Sequence, residues 1–326
     1  MADSIKDAGM PGSDSDPTTN PIPKFIPKRF VERYGSIVDD PDAFFAALAK
    51  PVPKSFRVNT IKSNREEVME RFASYGIDIR QTPWYDDAFV TDNLDIGMSL
   101  EHFLGFIYIQ ELTSMLPPLV ARNELSRANL VLDGCAAPGS KTTQIAAMMG
   151  NRGVIYANDS DYSRIRALKF NLEKTGVLNT VITNMGLQKY PPRQFDCVFI
   201  DAPCSSEGTC RKNDKIFFTW DEGYIAKNAE MQKKLILKGF DLLAPGGMMI
   251  YSTCTFAPEE NEAVLDYLLC QREDAKIEKV VIPGLKTAKG ITSFAGVDFD
   301  SSVKDCIRIW PHHNDTDGFF LAGVRK

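Results

Sequence analysis

Histidine is scarce in this chain: only His102, His312 and His313 occur. Three are too few for most histidine-centred chemistry, and no metal centre is expected from them. The seven cysteines contain no CxxC pair, so neither a zinc ribbon nor a disulfide framework is indicated. Thiols left unpaired fit a reducing cytoplasm. No run of about 18 apolar residues appears, which excludes a membrane-spanning helix. Residues 1–23 have no apolar stretch of the kind a secretory leader requires. Neither GxGxxG nor GxxxxGK[ST] is present, so a dinucleotide or nucleoside triphosphate is disfavoured. An overall basic excess is missing too: 38 Lys and Arg face 43 Asp and Glu, a formal charge of -5. That argues against coating nucleic acid over the whole surface.

What is present is ample for folding. The chain has 326 residues, 44% of them hydrophobic, which is enough for about two domains. Residues 1–23 are rich in Asp, Ser, Pro and Gly, and a disordered tail is expected there. Residues 24–128 form a mixed segment with a helix over 42–48, a strand over 55–60, a helix over 65–75 and another over 111–122. From 129 to 326 the pattern alternates. Strands are expected at 129–133, 153–157, 180–183, 195–201 and 248–252. Helices are expected at 141–149, 162–175, 226–243 and 258–269, the second ending at Gly176 and the third stopped by Pro245-Gly246-Gly247. Two terminal strands fall at 307–310 and 319–324. Such alternation predicts an α/β protein with a parallel, doubly wound sheet. Ligands of these sheets bind beyond the carboxyl ends of the strands, and every chemical motif of this chain falls there.

The first motif is Asp133-Gly134-Cys135-Ala136-Ala137-Pro138-Gly139-Ser140-Lys141, a turn of small residues between strand and helix that lets backbone approach a ligand. Asp159 ends the next strand and is placed to accept both hydroxyls of a ribose, although capping the following helix would explain it too. Arg164 follows one helical turn later. Asp201-Ala202-Pro203-Cys204-Ser205 puts an acid and a thiol after a third strand. Tyr251-Ser252-Thr253-Cys254-Thr255 puts a second thiol after a fourth. One thiol alone is more often a packed side chain. Two at neighbouring strand ends would converge, with a carboxylate, on one pocket. Lys50, Lys54, Arg57, Lys62 and Arg65 form a run with no acid between them, and Lys24, Lys28, Arg29 and Arg33 a second basic group. Both are either solvated faces or a phosphate-tracking surface.

With these strings the chain resembles the Sun/NOL family of RNA cytosine-C5 methyltransferases, the group that includes bacterial RsmB. The resemblance runs from about Lys54 to the C-terminus. It rests on SFRVNT at 55–60, GFIYIQE at 105–111, CAAPGSK at 135–141, DAPCS at 201–205, YSTCT at 251–255 and GFFLA at 318–322. Short archaeal-type members are the most similar, because no added RNA-binding domain is evident.

The resemblance implies a class I, Rossmann-like methyltransferase sheet over 129–326 and a small N-terminal α+β RNA-binding module over 24–128. It implies S-adenosylmethionine as cofactor, held by Cys135, Ala136, Ala137, Pro138, Gly139, Ser140, Lys141, Asp159, Arg164 and Asp201. It implies Cys254 as nucleophile and Cys204 as the thiol assisting release, with Asp201 and Lys141 acting on the base. Spacing alone leaves the two thiols interchangeable, since DNA enzymes of this chemistry attack with the cysteine of a Pro-Cys pair. Lys141 is equally open to a plain salt bridge at the helix start. Family members carry an aspartate after the third strand, where Gly186 stands here, which puts the adenine contact in question. The expected partner is RNA, tRNA first and rRNA second, with no membrane and no obligate protein partner. A non-catalytic RNA-binding or ribosome-assembly factor is the alternative, and Gly186 is the feature that favours it. Lys54, Arg57, Arg211 and Lys212 are assigned to phosphates, with Lys215 beside them at the pocket mouth. Phe217, Phe218 and Trp220 are assigned either to base stacking or to core packing.

Overall fold

The computed structural model describes residues 26–326, so the expected tail at 1–23 lies outside the described residues. The chain opens with two short helices, α1 (Lys28–Gly35) and α2 (Pro41–Leu48). Asp40 caps α2 by accepting from the Ala43 N–H at 3.0 Å. Their apolar faces meet Phe217, Phe256 and Trp310 from much later in the sequence.

A four-stranded antiparallel sheet follows. It holds β1 (Lys54–Val58), β2 (Arg80–Gln81), β3 (Ala88–Thr91) and β4 (Ile107–Ile109) in the order β2-β3-β1-β4. Helices α3 (Arg65–Ser74) and α4 (Leu100–Leu104) belong to the same unit. Val68 and Phe72 of α3 cover Phe56 and Val58, one face of β1. The assignment of Arg57 to phosphates requires the other face to meet water. Instead all of Ser55–Val58 is buried, because the second face docks on the large domain.

The helix expected at 111–122 is divided into a 3-10 turn (Thr113–Met115), α5 (Leu116–Val120) and α6 (Arg122–Leu125). Consecutive prolines, Pro117 and Pro118, open α5 and lack the N–H groups that would continue the preceding turn.

The large sheet then builds as expected through β5 (Leu130–Asp133), α7 (Ser140–Met148), β6 (Val154–Asn158), α8 (Tyr162–Thr175), β7 (Thr180–Thr183) and β8 (Phe195–Asp201). Gly176 takes φ 78° and ends α8 in the left-handed conformation that a glycine adopts without strain. After α9 (Lys215–Thr219), the long helix α10 (Glu222–Asp241) stops short of Pro245. Strand β9 (Leu243–Thr253) already begins before that proline. Helix α11 (Glu262–Gln271) starts later than its Pro-Glu-Glu string predicted, since Pro258–Asn261 is a turn that aims Glu260 inward.

The C-terminal part adds β10 (Lys276–Glu278), β11 (Ala288–Lys289), the hairpin of β12 (Ser293–Phe294) and β13 (Val297–Asp298), β14 (Ile307–Ile309), α12 (Pro311–Asn314) and β15 (Phe319–Arg325). Among the described residues the main sheet has nine strands, ordered β11-β14-β15-β9-β8-β5-β6-β7 with β10 beside β15. Strands β7, β6, β5, β8 and β9 are parallel, as predicted. The sheet as a whole is mixed, because β15 returns antiparallel along β9 and β14 along β15. Its two faces are covered by different helices. Val198 and Ile200 face α10 and α11, whereas Cys197 and Phe199 face α5 and α7. The chain reverses direction across the sheet between β5 and β8, and a crevice opens above their carboxyl ends. No helix among the described residues is long and apolar enough to cross a membrane.

Candidate active site

Residues Asp201 of β8 and Ser252 of β9 are paired in register, so the loops that follow them start side by side. Cys204 and Cys254 are thereby brought together, with their sulfur atoms 3.4 Å apart. Beneath them lies a buried polar chain. Glu260 accepts from the Ser205 N–H at 2.9 Å and from the Ser205 hydroxyl. Ser205 Oγ meets Thr255 Oγ1 at 2.7 Å, and Thr255 donates to Glu207 at 2.7 Å. Tyr34 of α1 also donates to Glu207, as does the Trp220 indole. Burial pushes Glu260 up to about 7, and Glu207 is likewise raised by burial.

The same geometry makes the two thiols unequal. The two thiols share a hydrogen bond, and this contact holds the Cys254 thiol below its ordinary range against the opposing effect of burial. The Lys141 ammonium adds to that lowering. Cys204 is raised well above its ordinary value by that hydrogen bond and by burial. A thiol lowered in this way is the more easily ionised of the two.

Cys254 opens on a pocket of about 340 Å3 lined by Tyr108, Gln110, Lys141, Asp201, Asp317 and Phe319, among others. Lys141 Nζ donates to Asp201 Oδ2 at 2.7 Å and to Ser114 Oγ at 3.1 Å. Ser252 Oγ donates to the other oxygen, Asp201 Oδ1, at 2.7 Å. Lys141 forms the salt bridge that was one of its two expected roles, and it also lines the pocket. Asp317 and Lys212 pair across the pocket rim at 2.7 Å. Burial pushes Asp317 up to about 6, with Glu111 adding to the effect.

A narrower cleft adjoins it, lined by Gly134, Cys135, Asn158, Asp159, Arg164, Gly186, Leu187 and Pro203, among others. Asp159 is buried, and each carboxylate oxygen accepts one N–H, from Ala137 at 3.1 Å and from Asp161 at 2.9 Å. A second lone pair on each oxygen remains for the two hydroxyls of a ribose. Asp161 caps α8, so Asp159 is free of the alternative role of cap. Arg164 reaches Ala137 O and lies 3.5 Å from Asp159. Leu187, Pro203, Met231 and Leu235 supply an apolar wall for a flat base. A Cβ added at Gly186 would meet only Gln188 Oε1, at 3.2 Å, so glycine leaves space beside the cleft. Asn184 Nδ2 donates to Asp159 O at 2.7 Å and braces this strand end. This donor set fits S-adenosylmethionine. Of the residues the resemblance assigned to the cofactor, Cys135, Asp159 and Arg164 line the cleft and Pro138, Ser140, Lys141 and Asp201 the pocket, whereas Ala136, Ala137 and Gly139 line neither.

Two expected RNA contacts are corrected. Arg57 is 1% exposed and donates to Gln110 Oε1 at 3.2 Å and Thr143 Oγ1 at 3.1 Å, because the second face of β1 packs on α7. Arg211 is also buried, and its guanidinium binds Lys50 O, Pro51 O, Thr316 O and Asp315. Neither reaches solvent. Lys54 and Lys215 are exposed, and Lys212 is exposed enough to face both solvent and Asp317. Lys62 holds the module in place through Leu104 O and Lys174 O. Lys28, Arg29, Arg33 and Arg65 pair with acids. Phe217 is core, whereas Phe218 is exposed.

Sequence reasoning did not single out Ser114, Ser252, Glu260 or Asp317. Asp317 was within reach, since it directly precedes the GFFLA string. Glu260 stood in a string whose acids suggested a helix start. Nothing local marks Ser114 or Ser252 as ligands of the Lys141–Asp201 pair.

Comparison with known proteins agrees with this geometry. Residues 121–325 match the family model described as 16S rRNA methyltransferase RsmB/F, and residues 26–112 match the N-terminal domain of 16S rRNA methyltransferase RsmF. A tRNA (cytosine(49)-C(5))-methyltransferase of Pyrococcus abyssi is 42% identical over 93% of this chain and 97% of its own length. A ribosomal RNA small subunit methyltransferase F of Vibrio campbellii is 37% identical, and the match spans 63% of that longer protein. The crystal structure of a methyltransferase homologue from Pyrococcus horikoshii superposes with a TM-score of 0.78 at 33% identity, over 92% of this chain and 95% of that one. The chain belongs to the RsmB/F (Sun/NOL) family of S-adenosylmethionine-dependent RNA cytosine-C5 methyltransferases.

Proposed function

We propose that this protein methylates C5 of a cytosine in tRNA, with Cys254 as nucleophile and Cys204 assisting release. The observation that carries the reading is the pair of thiols 3.4 Å apart at a pocket that also holds the Lys141–Asp201 pair. tRNA is favoured over rRNA because the match spans 97% of a tRNA enzyme but 63% of an rRNA enzyme. The unit over 24–128 guides RNA to the pocket, with Lys54 and Lys212 on phosphates. Free thiols and RNA as partner support a cytoplasmic location.

C5 of cytosine is a poor nucleophile. The Cys254 thiolate forms a bond to C6, and the ring electrons move toward N3. Asp201 faces that edge and takes part in its protonation, the proton coming from the neighbouring Lys141 ammonium. The ring is then an enamine, and C5 becomes nucleophilic. S-adenosylmethionine, when bound by residues 135–141, Asp159, Arg164 and Asp201, supplies an electrophilic methyl group. Once Cys254 is bonded to carbon, Cys204 gives its own proton to solvent and takes the one leaving C5. The electrons of that C–H bond form the C5–C6 double bond and expel the Cys254 thiolate, and return of the N3 proton to Lys141 restores the neutral ring. Reaching C6 requires an unstacked base.

The test is methyl transfer from labelled S-adenosylmethionine into tRNA and rRNA transcripts, read as 5-methylcytosine by mass spectrometry. Transfer to tRNA that disappears with Cys254→Ala is expected. Binding of RNA without methylation of any transcript would reject the assignment.

A further inference from the structure

The connection between α1 and α2 meets α12 at a small cluster unrelated to the pocket. Asp39 Oδ1 lies 3.0 Å from His312 Nε2, and Asp39 Oδ2 lies 2.8 Å from His313 Nε2. One potential ligand atom from each residue falls within 4.8 Å of the others, and no other such trio occurs among the described residues. Adjacent residues of a helix point about 100° apart, so two sequential histidines do not normally aim at one group. Here the imidazole centroids are 4.4 Å apart with the rings at 65°, and both Nε2 atoms converge. The His312 and His313 side chains are 7% and 1% exposed, whereas Asp39 is 49% exposed.

We propose that Asp39, His312 and His313 form a structural site for a divalent transition metal, best suited to zinc. Two imidazole nitrogens and one carboxylate oxygen are a common zinc donor set, and the open side at Asp39 leaves room for a water as fourth ligand. Tetrahedral ligands at zinc-bond lengths stand about 3.3 Å apart. The observed contacts, 3.0 Å to Oδ1 and 2.8 Å to Oδ2, put both Nε2 atoms at the one carboxylate, and loading moves each imidazole proton from Nε2 to Nδ1.

The position gives the ion a purpose. Asp39 and the histidines are separated by 273 and 274 residues, so one ion ties the start of the described chain to its end. Beyond the histidines, Asp315 and Thr316 bind Arg211, and Asp317 lines the pocket. The low histidine count suggested no metal. Their placement, which composition cannot convey, is what makes the site.

The test uses the full chain, stripped with chelator, then given zinc chloride and desalted. Because Cys204 and Cys254 can also hold zinc, the reference protein carries Cys204→Ser and Cys254→Ser. It is expected to retain one equivalent of zinc by elemental analysis and to melt about 5 °C higher with the metal. Adding Asp39→Asn or His313→Gln is expected to abolish both effects. Asp39→Asn alters a half-exposed side chain and so leaves the fold intact even if His313→Gln does not. Zinc retained only while the thiols are present, or retained equally by the Asp39→Asn protein, would overturn the site.

Discussion

The sulfur atoms of Cys204 and Cys254 lie 3.4 Å apart although 50 residues separate them in sequence. The register of β8 against β9 makes this contact, and the Glu260–Ser205–Thr255–Glu207 chain beneath fixes both loops. Proximity alone would leave the thiols equivalent. Their shared hydrogen bond and the Lys141 ammonium both lower Cys254, whereas the same contact and burial raise Cys204.

Removing the release thiol should therefore trap the enzyme on its substrate. Cys204→Ala, incubated with S-adenosylmethionine and tRNA, is expected to accumulate a protein–RNA adduct that survives denaturation. The same adduct should be absent when Cys254→Ala is added. An adduct that forms in Cys254→Ala alone would reverse the two roles.

The hydrogen bond also sets the pH dependence. A lowered Cys254 pKa means that thiolate is present at lower pH, so adduct formation rises with pH along a limb below the ordinary thiol range. In Cys204→Ala the donor is gone, and the limb should move to higher pH. Single-turnover rates across pH 5–10, compared between Cys204→Ala and Cys204→Ser, check this, since serine keeps a donor. Coincident limbs in the two variants would remove the hydrogen bond as cause.

Legibility from sequence followed the range of the interaction. Strand ends with small or reactive residues are local features, and CAAPGSK, DAPCS and YSTCT each sit where the sequence put them. Arg57 could not be read, because its burial depends on both faces of β1 being covered, one by α3 and one by α7. Arg211 is the same case, since its acceptors come from residues 50–51 and 315–316. The antiparallel return of β15 along β9 is a matter of chain topology that apolar patterning at 319–324 does not encode. Glu260 shows a local signal overridden: its string suits a helix start, but Ser205 needs an acceptor there.

Gly208 holds the Cys254 loop by backbone contact. Its N–H donates to Cys254 O at 2.9 Å, and its carbonyl accepts from the Gly318 N–H at 2.9 Å. A Cβ at Gly208 would stand 2.3 Å from Gly318 O and 2.9 Å from Cys254 O, all of it backbone that cannot swing aside. Gly208→Ala is expected to lose more than tenfold in kcat and about 1–3 kcal/mol of stability. Methylation kinetics and urea unfolding measure the two, and unchanged kcat would show that Cys254 tolerates a displaced loop.

Asp133 ties stability to pH. It is buried at the end of β5, accepts from Thr142 at 2.7 Å and leaves Oδ1 unpaired. Burial pushes it up to about 6. The folded protein therefore binds a proton more tightly than the unfolded chain does, and its contribution to stability is complete below about pH 4. That contribution falls as pH rises through about 6, by up to ~3 kcal/mol. Asp133→Asn should flatten the stability profile between pH 4 and 6. Urea midpoints at fixed pH steps test it, and an unaltered slope would assign the proton to another group.

Arg57 and Lys54 separate folding from RNA contact. Lys54 is exposed, whereas the Arg57 guanidinium bridges β1 to α7 and stacks 5.8 Å from the Tyr108 ring. Truncating a buried bridging cation leaves Gln110 and Thr143 without their donor and opens a void. Arg57→Ala is expected to cost about 2–4 kcal/mol in unfolding while leaving the salt dependence of tRNA binding unchanged. Lys54→Ala is expected to do the reverse: stability stays within about 0.5 kcal/mol, and the slope of log K against log salt falls by about one. Two properties measured on two variants give four readings. A reduced salt slope in Arg57→Ala at full occupancy of the folded state would return Arg57 to the RNA surface, and an unchanged slope in Lys54→Ala would remove β1 from it altogether.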